Sequence, residues 1–179
     1  PWRIREEGIF SLEKGRTFYT SNAGLKELRE EISRYVNRKY DLHYDPVHEI
    51  FVTVGGSEAI DVALRCMTDP GDEVLIPQPS YVSYLPCAVM ADAVPVPIEL
   101  KAENDFLLDD GILSAIQKGY DMMFLCNPNN PTGQVLNPPL LKEIVERCCD
   151  NNILLAVDEC FMEFLPLWKE YTAKSLVTR

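Results

Sequence analysis

Residues 124–133 read FLCNPNNPTG, and residues 153–159 read ILLAVDE. Each stretch is an apolar run that ends in polar residues, which is typical of a buried strand leading into a loop. The Asn-Pro steps forbid a helix, because the ring of Pro128 or Pro131 removes an N–H donor and pushes the preceding residue out of the α region. Asp158 closes the second strand at its carboxyl end, where open α/β sheets place ligands. The two strands are therefore predicted to bring an amide and a carboxylate to one edge of a sheet.

Strands and helices alternate along the chain. Helices are predicted from apolar residues at helical spacing, and strands from short β-branched or apolar runs. The predicted helices cover 25–40, 60–67, 81–90, 109–118 and 139–149, and the predicted strands cover 50–54, 74–76, 94–98, 122–126 and 153–157. Two prolines restrict the segment 94–98 to an edge or irregular strand. This alternation predicts a mostly parallel sheet with helices on both faces.

The composition is that of a globular protein. Of the 179 residues, 46% are hydrophobic and 25% are charged, which suffices for one full core. A net charge of −11 argues against a nucleic-acid or anionic-membrane surface, because phosphate binding needs clustered Lys and Arg. No apolar stretch approaches the roughly 18 to 20 residues needed to span a membrane, and the N-terminus lacks a signal-peptide pattern. We therefore expect a cytoplasmic protein without nucleic-acid or membrane partners.

The six cysteines and two histidines show no metal-binding pattern. The cysteines have no CxxC spacing and most lie in apolar segments, which predicts reduced thiols in the core. His43 and His48 lie in a polar connector, with no Cys or His partner at metal spacing. No metal site is predicted, and both histidines are expected on the surface.

Residues 127–133 match the signature NPxNPTG at every fixed position, and Asp158-Glu159 falls where a second motif is expected. Residues 4–165 thereby resemble the pyridoxal-phosphate-dependent aminotransferases with the aspartate aminotransferase fold. The resemblance implies a three-layer α/β/α fold, of which this chain supplies an incomplete large domain. It also implies that Asn130 donates to the phenolic oxygen of the cofactor and that Asp158 faces the pyridine nitrogen. A carboxylate there keeps the ring protonated, and a protonated ring withdraws electrons from a substrate carbanion.

Two strand-to-helix junctions supply further candidates. Gly55, Gly56 and Ser57 fit a simple helix N-cap, but free N–H groups at such a turn can also face an anion. In the family, this turn holds the cofactor phosphate. Tyr81 and Tyr84 are three residues apart, a spacing most often used for core packing. The family places an aromatic ring at the Tyr81 position, stacked on the pyridine face, and no role is assigned to Tyr84.

Tyr19 lies ahead of the helix predicted at 25–40, in a segment that resembles the family's YxxxxG motif. By itself, Tyr19 is an ordinary loop aromatic. The resemblance implies that its hydroxyl reaches the cofactor phosphate of the neighbouring subunit. The expected functional unit is therefore a homodimer with shared active sites.

Two segments point to different branches of the family. Many members carry Tyr three residues beyond the aspartate, where this chain has Phe161. The stretch 158–164 is similar to the threonine-phosphate decarboxylase and histidinol-phosphate aminotransferase branches. The stretch 19–85 is similar to the aspartate and aromatic aminotransferase branch. The substrate class therefore stays open.

A pyridoxal enzyme of this fold needs a lysine that forms a Schiff base with the cofactor. In the family this lysine lies farther past the aspartate than Arg179, and Lys174 is too near and is expected in a surface helix. The arginine that binds a substrate carboxylate and the N-terminal arm are also expected outside this sequence. The chain is thus expected to be an inactive piece of a longer enzyme.

The expected organisation has three parts. Residues 1–48 form a helical segment, residues 49–165 form the pyridoxal-phosphate-binding portion of the large domain, and residues 166–179 form a truncated C-terminal continuation. The expected activity of the parent enzyme is amino transfer between an amino acid and a 2-oxo acid. Two alternatives stay open: decarboxylation of a phosphorylated amino acid, as in threonine-phosphate decarboxylases, and a non-catalytic domain that only binds pyridoxal phosphate.

Overall fold

The computed structural model describes residues 1–176 and divides into two compact units, Pro1–Ala59 and Ile60–Arg179. The first unit contains helix α1 (Trp2–Glu13), helix α2 (Lys26–Tyr40) and the start of helix α3 (Gly56–Met67). The division of the chain at residues 49 and 165 into functional parts stays a prediction.

Within the first unit, Arg29 on α2 is the only buried residue. Its Nη1 atom donates to the carbonyl oxygens of Pro46 and Val47, at 2.7 and 3.1 Å. These bonds attach α2 to the connector that follows it. The apolar side chains of α1 are exposed: Trp2, Ile4, Ile9, Phe10 and Leu12.

The prediction of a strand at 50–54 is wrong for the structure described. The backbone N–H of Val52 donates to the carbonyl oxygen of Ala23 at 3.0 Å, and 50–54 forms no ladder with any described strand. A β-branched run becomes a strand only where a neighbour accepts and donates its backbone hydrogen bonds. The residue types of 50–54 are typical of a strand, but the described residues supply no neighbouring strand to pair with.

The second unit is α/β, as predicted. After α3 come β1 (Glu73–Gln78), α4 (Tyr84–Met90), β2 (Val94–Glu99), α5 (Gly111–Ala115), β3 (Met122–Cys126), α6 (Pro138–Asp150), β4 (Leu154–Asp158) and α7 (Trp168–Tyr171). Short 3₁₀ turns occupy Ala102–Asn104, Met162–Phe164 and Ala173–Leu176.

The sheet is parallel, with strand order β2-β1-β3-β4. The proline-containing strand β2 lies at an edge, as its two prolines predicted. One core cluster packs α5 and α6 against Leu75, Met123 and Leu125, and a second packs α3 and α4 against the alternate residues, such as Val74 and Phe124. Helices therefore cover both faces, and the three-layer prediction is confirmed.

Two predicted helices are shorter in the structure than in the sequence pattern. Helix α4 begins at Tyr84, so Tyr81 lies in the turn before it. Helix α5 ends at Ala115 because Ile116 turns to an extended conformation and enters the core. By contrast, α6 begins one residue before the predicted start, since the side chain of Asn137 accepts from the N–H of Leu140 and caps the helix.

All six cysteines are free thiols, but only half of them lie in the core. The buried ones are Cys87, Cys126 and Cys148, and the exposed ones are Cys66, Cys149 and Cys160. The expectation of core thiols is therefore wrong for the exposed three. For Cys149 the reason is that two neighbouring helical residues, here Cys148 and Cys149, cannot both face the core. His43 and His48 are exposed, as predicted. Among residues 1–176, no helix is long and apolar enough to cross a membrane.

The order of the strands creates a switch point between β1 and β3. From β1 the chain moves outward to β2, then returns past β1 to β3 and continues outward to β4. The β1–β3 ladder pairs only Val74 with Met122 and Leu75 with Met123, whereas the β3–β4 ladder runs to the end of both strands. The carboxyl ends of β1 and β3 are thus not joined by backbone ladder bonds. Open α/β sheets bind their ligands at this kind of position.

Candidate active site

Asp158 lies at the carboxyl end of β4 and is half-buried. Its Oδ2 atom accepts from the hydroxyl of Tyr84 at 2.6 Å, and its Oδ1 atom accepts from the backbone N–H of Cys160 at 2.9 Å. Its backbone carbonyl also accepts from the N–H of Asn127 at 2.9 Å, which continues the β3–β4 pairing beyond β3. The carboxylate is therefore held in one orientation by helix α4 and by the turn after β4.

Within residues 1–176, Asp158 forms no ion pair with a positively charged side chain. Its hydrogen-bond donors are neutral groups: the Tyr84 hydroxyl, the Cys160 N–H and the Cys160 thiol. A half-buried carboxylate is costly unless it is paired or well hydrogen-bonded. The position therefore suits a ligand that presents a cationic N–H.

Tyr84 is the site residue whose role the sequence did not reveal. Its side chain is only 1% exposed, and its ring stacks on Phe124 with centroids 4.7 Å apart and an interplanar angle of 9°. Burial, together with the hydrogen bond to Asp158, raises the pKa of Tyr84 far above that of a free phenol. The hydroxyl is therefore a permanent donor to the carboxylate. The i, i+3 spacing with Tyr81 indicated packing, but the partner carboxylate is 74 residues away in sequence.

Tyr81 occupies the turn that follows β1 and is half-buried. Its ring meets that of Tyr84 edge to face, with centroids 5.6 Å apart and an interplanar angle of 74°. Aromatic pairs favour this arrangement. Tyr81 is thereby connected through Tyr84 to Asp158, at the same edge of the sheet.

The three asparagines of the motif have different surroundings. Asn127 is fully buried, and its Oδ1 atom accepts from the N–H of Leu136 at 3.0 Å. Asn129 is 5% exposed, and its side chain donates within the loop and to the preceding β1 loop. Asn130 is only half-buried, and its side chain makes no hydrogen bond to another residue within 1–176. The motif thus uses two amides to build the loop and leaves the amide of Asn130 available to a ligand.

The remaining predicted residues belong to the first unit. Gly55 has a φ of +87° and, like Gly56 and Ser57, is exposed at the start of α3. The carboxylate of Glu58 accepts from the N–H of Val54, which fixes the turn ahead of the helix. A Cβ at either glycine would meet no atom within 4 Å, so the backbone there is open to a ligand. A role for these three residues as a phosphate site stays a prediction.

Tyr19 also lies in the first unit, ahead of α2, and its side chain is fully exposed. Lys174, which the sequence placed in a surface helix, lies exposed in the 3₁₀ turn Ala173–Leu176. Within the described residues, no group of three or more His, Cys, Asp or Glu side chains is arranged to hold a metal ion. A cavity of about 300 Å³ lies along 98–114, beyond β2, and contains none of the predicted site residues.

Comparison with known proteins identifies the family of the chain. The family model described as "Aminotransferase class I and II" matches residues 3–176. The chain belongs to this family. The protein YugH of Bacillus subtilis (strain 168) is 40% identical over 173 residues, which are 96% of this chain and 45% of that protein. An aspartate aminotransferase of Pyrococcus horikoshii is 39% identical over 166 residues, covering 92% of this chain and 42% of the relative.

Solved structures of this aminotransferase family share the fold. The aromatic aminotransferase of Pyrococcus horikoshii OT3 superimposes with a TM-score of 0.78 at 34% identity, over 89% of this chain and 43% of that one. An N-succinyldiaminopimelate aminotransferase of Mycobacterium tuberculosis gives a TM-score of 0.78 at 33% identity, over 89% and 42%. The chain therefore spans somewhat less than half the length of the relatives it matches.

Proposed function

We propose that the full-length protein is a pyridoxal-phosphate-dependent aminotransferase that moves an amino group between an amino acid and a 2-oxo acid. The observation that carries the proposal is the half-buried carboxylate of Asp158, fixed by neutral donors and without a cationic partner in the described residues. Membership in the aminotransferase family supports it.

The residues present fit this cofactor. Asp158 would pair with the protonated ring nitrogen, and Asn130 would donate to the phenolic oxygen. Tyr81 would lie against the ring, because it is the half-buried aromatic at the switch point between β1 and β3. The turn at 55–57 would take the phosphate, with its open glycine backbone and the N–H groups of the first turn of α3. When bound, pyridoxal phosphate would supply an electron-withdrawing ring that weakens the bonds to the substrate Cα.

The side chains around Asp158 would keep it in the state that this chemistry requires. The hydroxyl of Tyr84 donates to the carboxylate and, because its pKa is raised by burial, does not lose its proton in the physiological range. The N–H of Cys160 fixes the other carboxylate oxygen. An anion with both oxygens held in this way can face a ring nitrogen without rotating, and fixed geometry of this kind lowers the cost of reorganisation during turnover.

We propose further that the protein acts in the cytoplasm as a homodimer with shared sites. Support comes from the first unit, in which the apolar side chains of α1 and the ring of Tyr19 are exposed. Apolar patches of this kind are typical of surfaces that are covered in an assembly. In the dimer, the Tyr19 hydroxyl would reach the cofactor phosphate of the neighbouring subunit.

The test uses the full-length protein with added pyridoxal phosphate, a panel of amino acids and a 2-oxo acid acceptor. We expect amino transfer, and we expect Asp158→Ala to lower turnover about ten- to a hundredfold, since a charge-assisted hydrogen bond contributes about 1.5 to 3 kcal/mol. Asp158→Ala should retain most of its cofactor. The matched control is Asp150→Ala, which removes an exposed carboxylate at the end of α6 and should leave turnover unchanged. Failure to transfer an amino group from any amino acid, or full turnover by Asp158→Ala, would overturn the proposal.

A further inference from the structure

At the switch point between β1 and β3, the loops that follow the two strands are linked by the side chain at the variable position of the motif. Asn129 occupies the variable position of NPxNPTG. Its side-chain nitrogen donates to the carbonyl oxygen of Pro79 at 3.0 Å, across the point where the β1–β3 ladder has already ended. The same nitrogen donates to Oγ1 of Thr132 at 3.0 Å, so both of its N–H groups are used. The orientation of the amide is unambiguous, because the carbonyl of Pro79 can only accept.

The loop that carries Asn130 is closed at its base by backbone hydrogen bonds of Asn129. The N–H of Asn129 donates to the carbonyl of Gln134, and the N–H of Gly133 donates to the carbonyl of Asn129, each at 2.8 Å. Residues 129–134 are therefore closed by backbone bonds at the position of Asn129. What these bonds do not determine is where this closed loop lies relative to the loop after β1.

The Pro79 bond supplies that link. Pro79 is two residues before Tyr81, and Asn129 directly precedes Asn130. With only 5% of Asn129 exposed, water competes weakly for its N–H groups, so the bond is made in a dry environment where hydrogen bonds are stronger. Tyr84 crosses the same switch point lower down, through its ring stacking on Phe124. Asn129 joins the loops themselves.

We propose that Asn129 is a positioning residue, which fixes the distance between the aromatic ring of Tyr81 and the amide of Asn130. The consequence for the cofactor rests on the proposed function, because Tyr81 and Asn130 would contact two different parts of the same planar ring. A shift of one loop relative to the other would weaken one contact whenever the other is made. The role of Asn129 differs from that of Asn127, whose side chain ties its own loop to Leu136.

The first measurement is hydrogen exchange of the cofactor-free, full-length protein, so it does not depend on activity. Asn129→Ala should speed exchange both at 127–136 and at 79–84, because the link between the loops is lost. Thr132→Ala is the matched control: it removes the other acceptor of the Asn129 amide and the acceptor of the Gln134 N–H, both within the loop, so it should speed exchange at 127–136 alone. If Asn129→Ala does not fold, Asn129→Ser replaces it, since serine suits a turn but is too short to reach Pro79.

The second measurement is cofactor affinity. Loss of one buried neutral hydrogen bond corresponds to about three- to tenfold weaker binding of pyridoxal phosphate. We expect this loss in the Asn129 variant and a smaller one in Thr132→Ala. Unchanged exchange at 79–84 in the Asn129 variant would overturn the positioning role, whatever the protein catalyses. Altered exchange with unchanged affinity would overturn the link to the cofactor.

Discussion

Replacing Tyr84 with phenylalanine removes one oxygen atom from the candidate active site and little else. The ring stacked on Phe124 at 4.7 Å stays, as does its edge-to-face contact with Tyr81. What is lost is the 2.6 Å hydrogen bond to Oδ2 of Asp158, together with the hydrogen bond between the hydroxyl and the Cys126 thiol. Tyr84→Phe is therefore a direct probe of how Asp158 depends on its neighbours.

The expected magnitude follows from the surroundings of the carboxylate. A hydrogen bond to a charged group contributes about 1.5 to 3 kcal/mol. Asp158 is half-buried and keeps the N–H of Cys160, so water can partly replace the lost donor. We therefore expect the lower end, about 1.5 kcal/mol, or a roughly tenfold lower kcat/KM. The free energy of unfolding should also fall by about 1.5 kcal/mol, since the packing of the ring is kept and only the hydrogen bonds of the hydroxyl are lost.

The assay is steady-state amino transfer by the full-length protein, with the dissociation constant of pyridoxal phosphate measured alongside. Tyr120→Phe is the control, since it removes a hydroxyl from a half-buried ring that packs on the opposite face of the sheet. The control should match the unmodified protein in both quantities. A Tyr84→Phe variant with kcat/KM within about twofold of the unmodified protein would refute a role for the hydroxyl in supporting Asp158.

Three further predictions concern alkaline stability, thiol reactivity and assembly. Because burial raises the pKa of Tyr84, the unfolded chain ionises first, so the contribution of Tyr84 to stability should be constant below about pH 10 and fall above it. In alkaline denaturation curves, Tyr84→Phe should reduce the slope of stability against pH by about one proton. Partial burial and the hydrogen bond to Asp158 raise the pKa of the Cys160 thiol. Iodoacetamide near neutral pH should therefore label the exposed Cys66 before Cys160, as measured by peptide mapping. Faster labelling of Cys160 would contradict this prediction. Tyr19→Phe should weaken cofactor retention without unfolding the protein. Mixing Tyr19→Phe subunits with Asp158→Ala subunits should restore partial activity in the heterodimers. If activity is not restored although the subunits are shown to exchange, shared sites are excluded.

The sequence predicts the second unit well because its signals are local. Apolar runs such as 122–126 and 153–157 are typical of strands in a parallel sheet covered by helices, and the structure places strands there within one residue. Helix ends were less accurate, since they depend on caps and on core entry. Ile116 ended α5 by turning inward, and Asn137 started α6 through its side chain.

The interactions that were missed are all long-range. The segment 50–54 has the composition of a strand, but whether it pairs depends on a neighbour that sequence patterns do not locate. The spacing of Tyr84 indicates core packing, and its hydrogen bond to Asp158 becomes visible only in the folded structure. Asn129 occupies a position that the motif leaves undefined, and its partner Pro79 lies 50 residues earlier. Local chemistry and the family resemblance named the candidate site residues, whereas the tertiary fold determines which side chains hold them in place.

The central claim is that Asp158 faces the ring nitrogen of bound pyridoxal phosphate and keeps it protonated. The most direct measurement is the ¹⁵N chemical shift of cofactor labelled at that nitrogen and bound to the full-length protein at alkaline pH. We predict the shift of a protonated pyridinium in the unmodified protein and that of a neutral pyridine in Asp158→Ala. A neutral-pyridine shift in the unmodified protein, or a pyridinium shift that persists in Asp158→Ala, would contradict the claim.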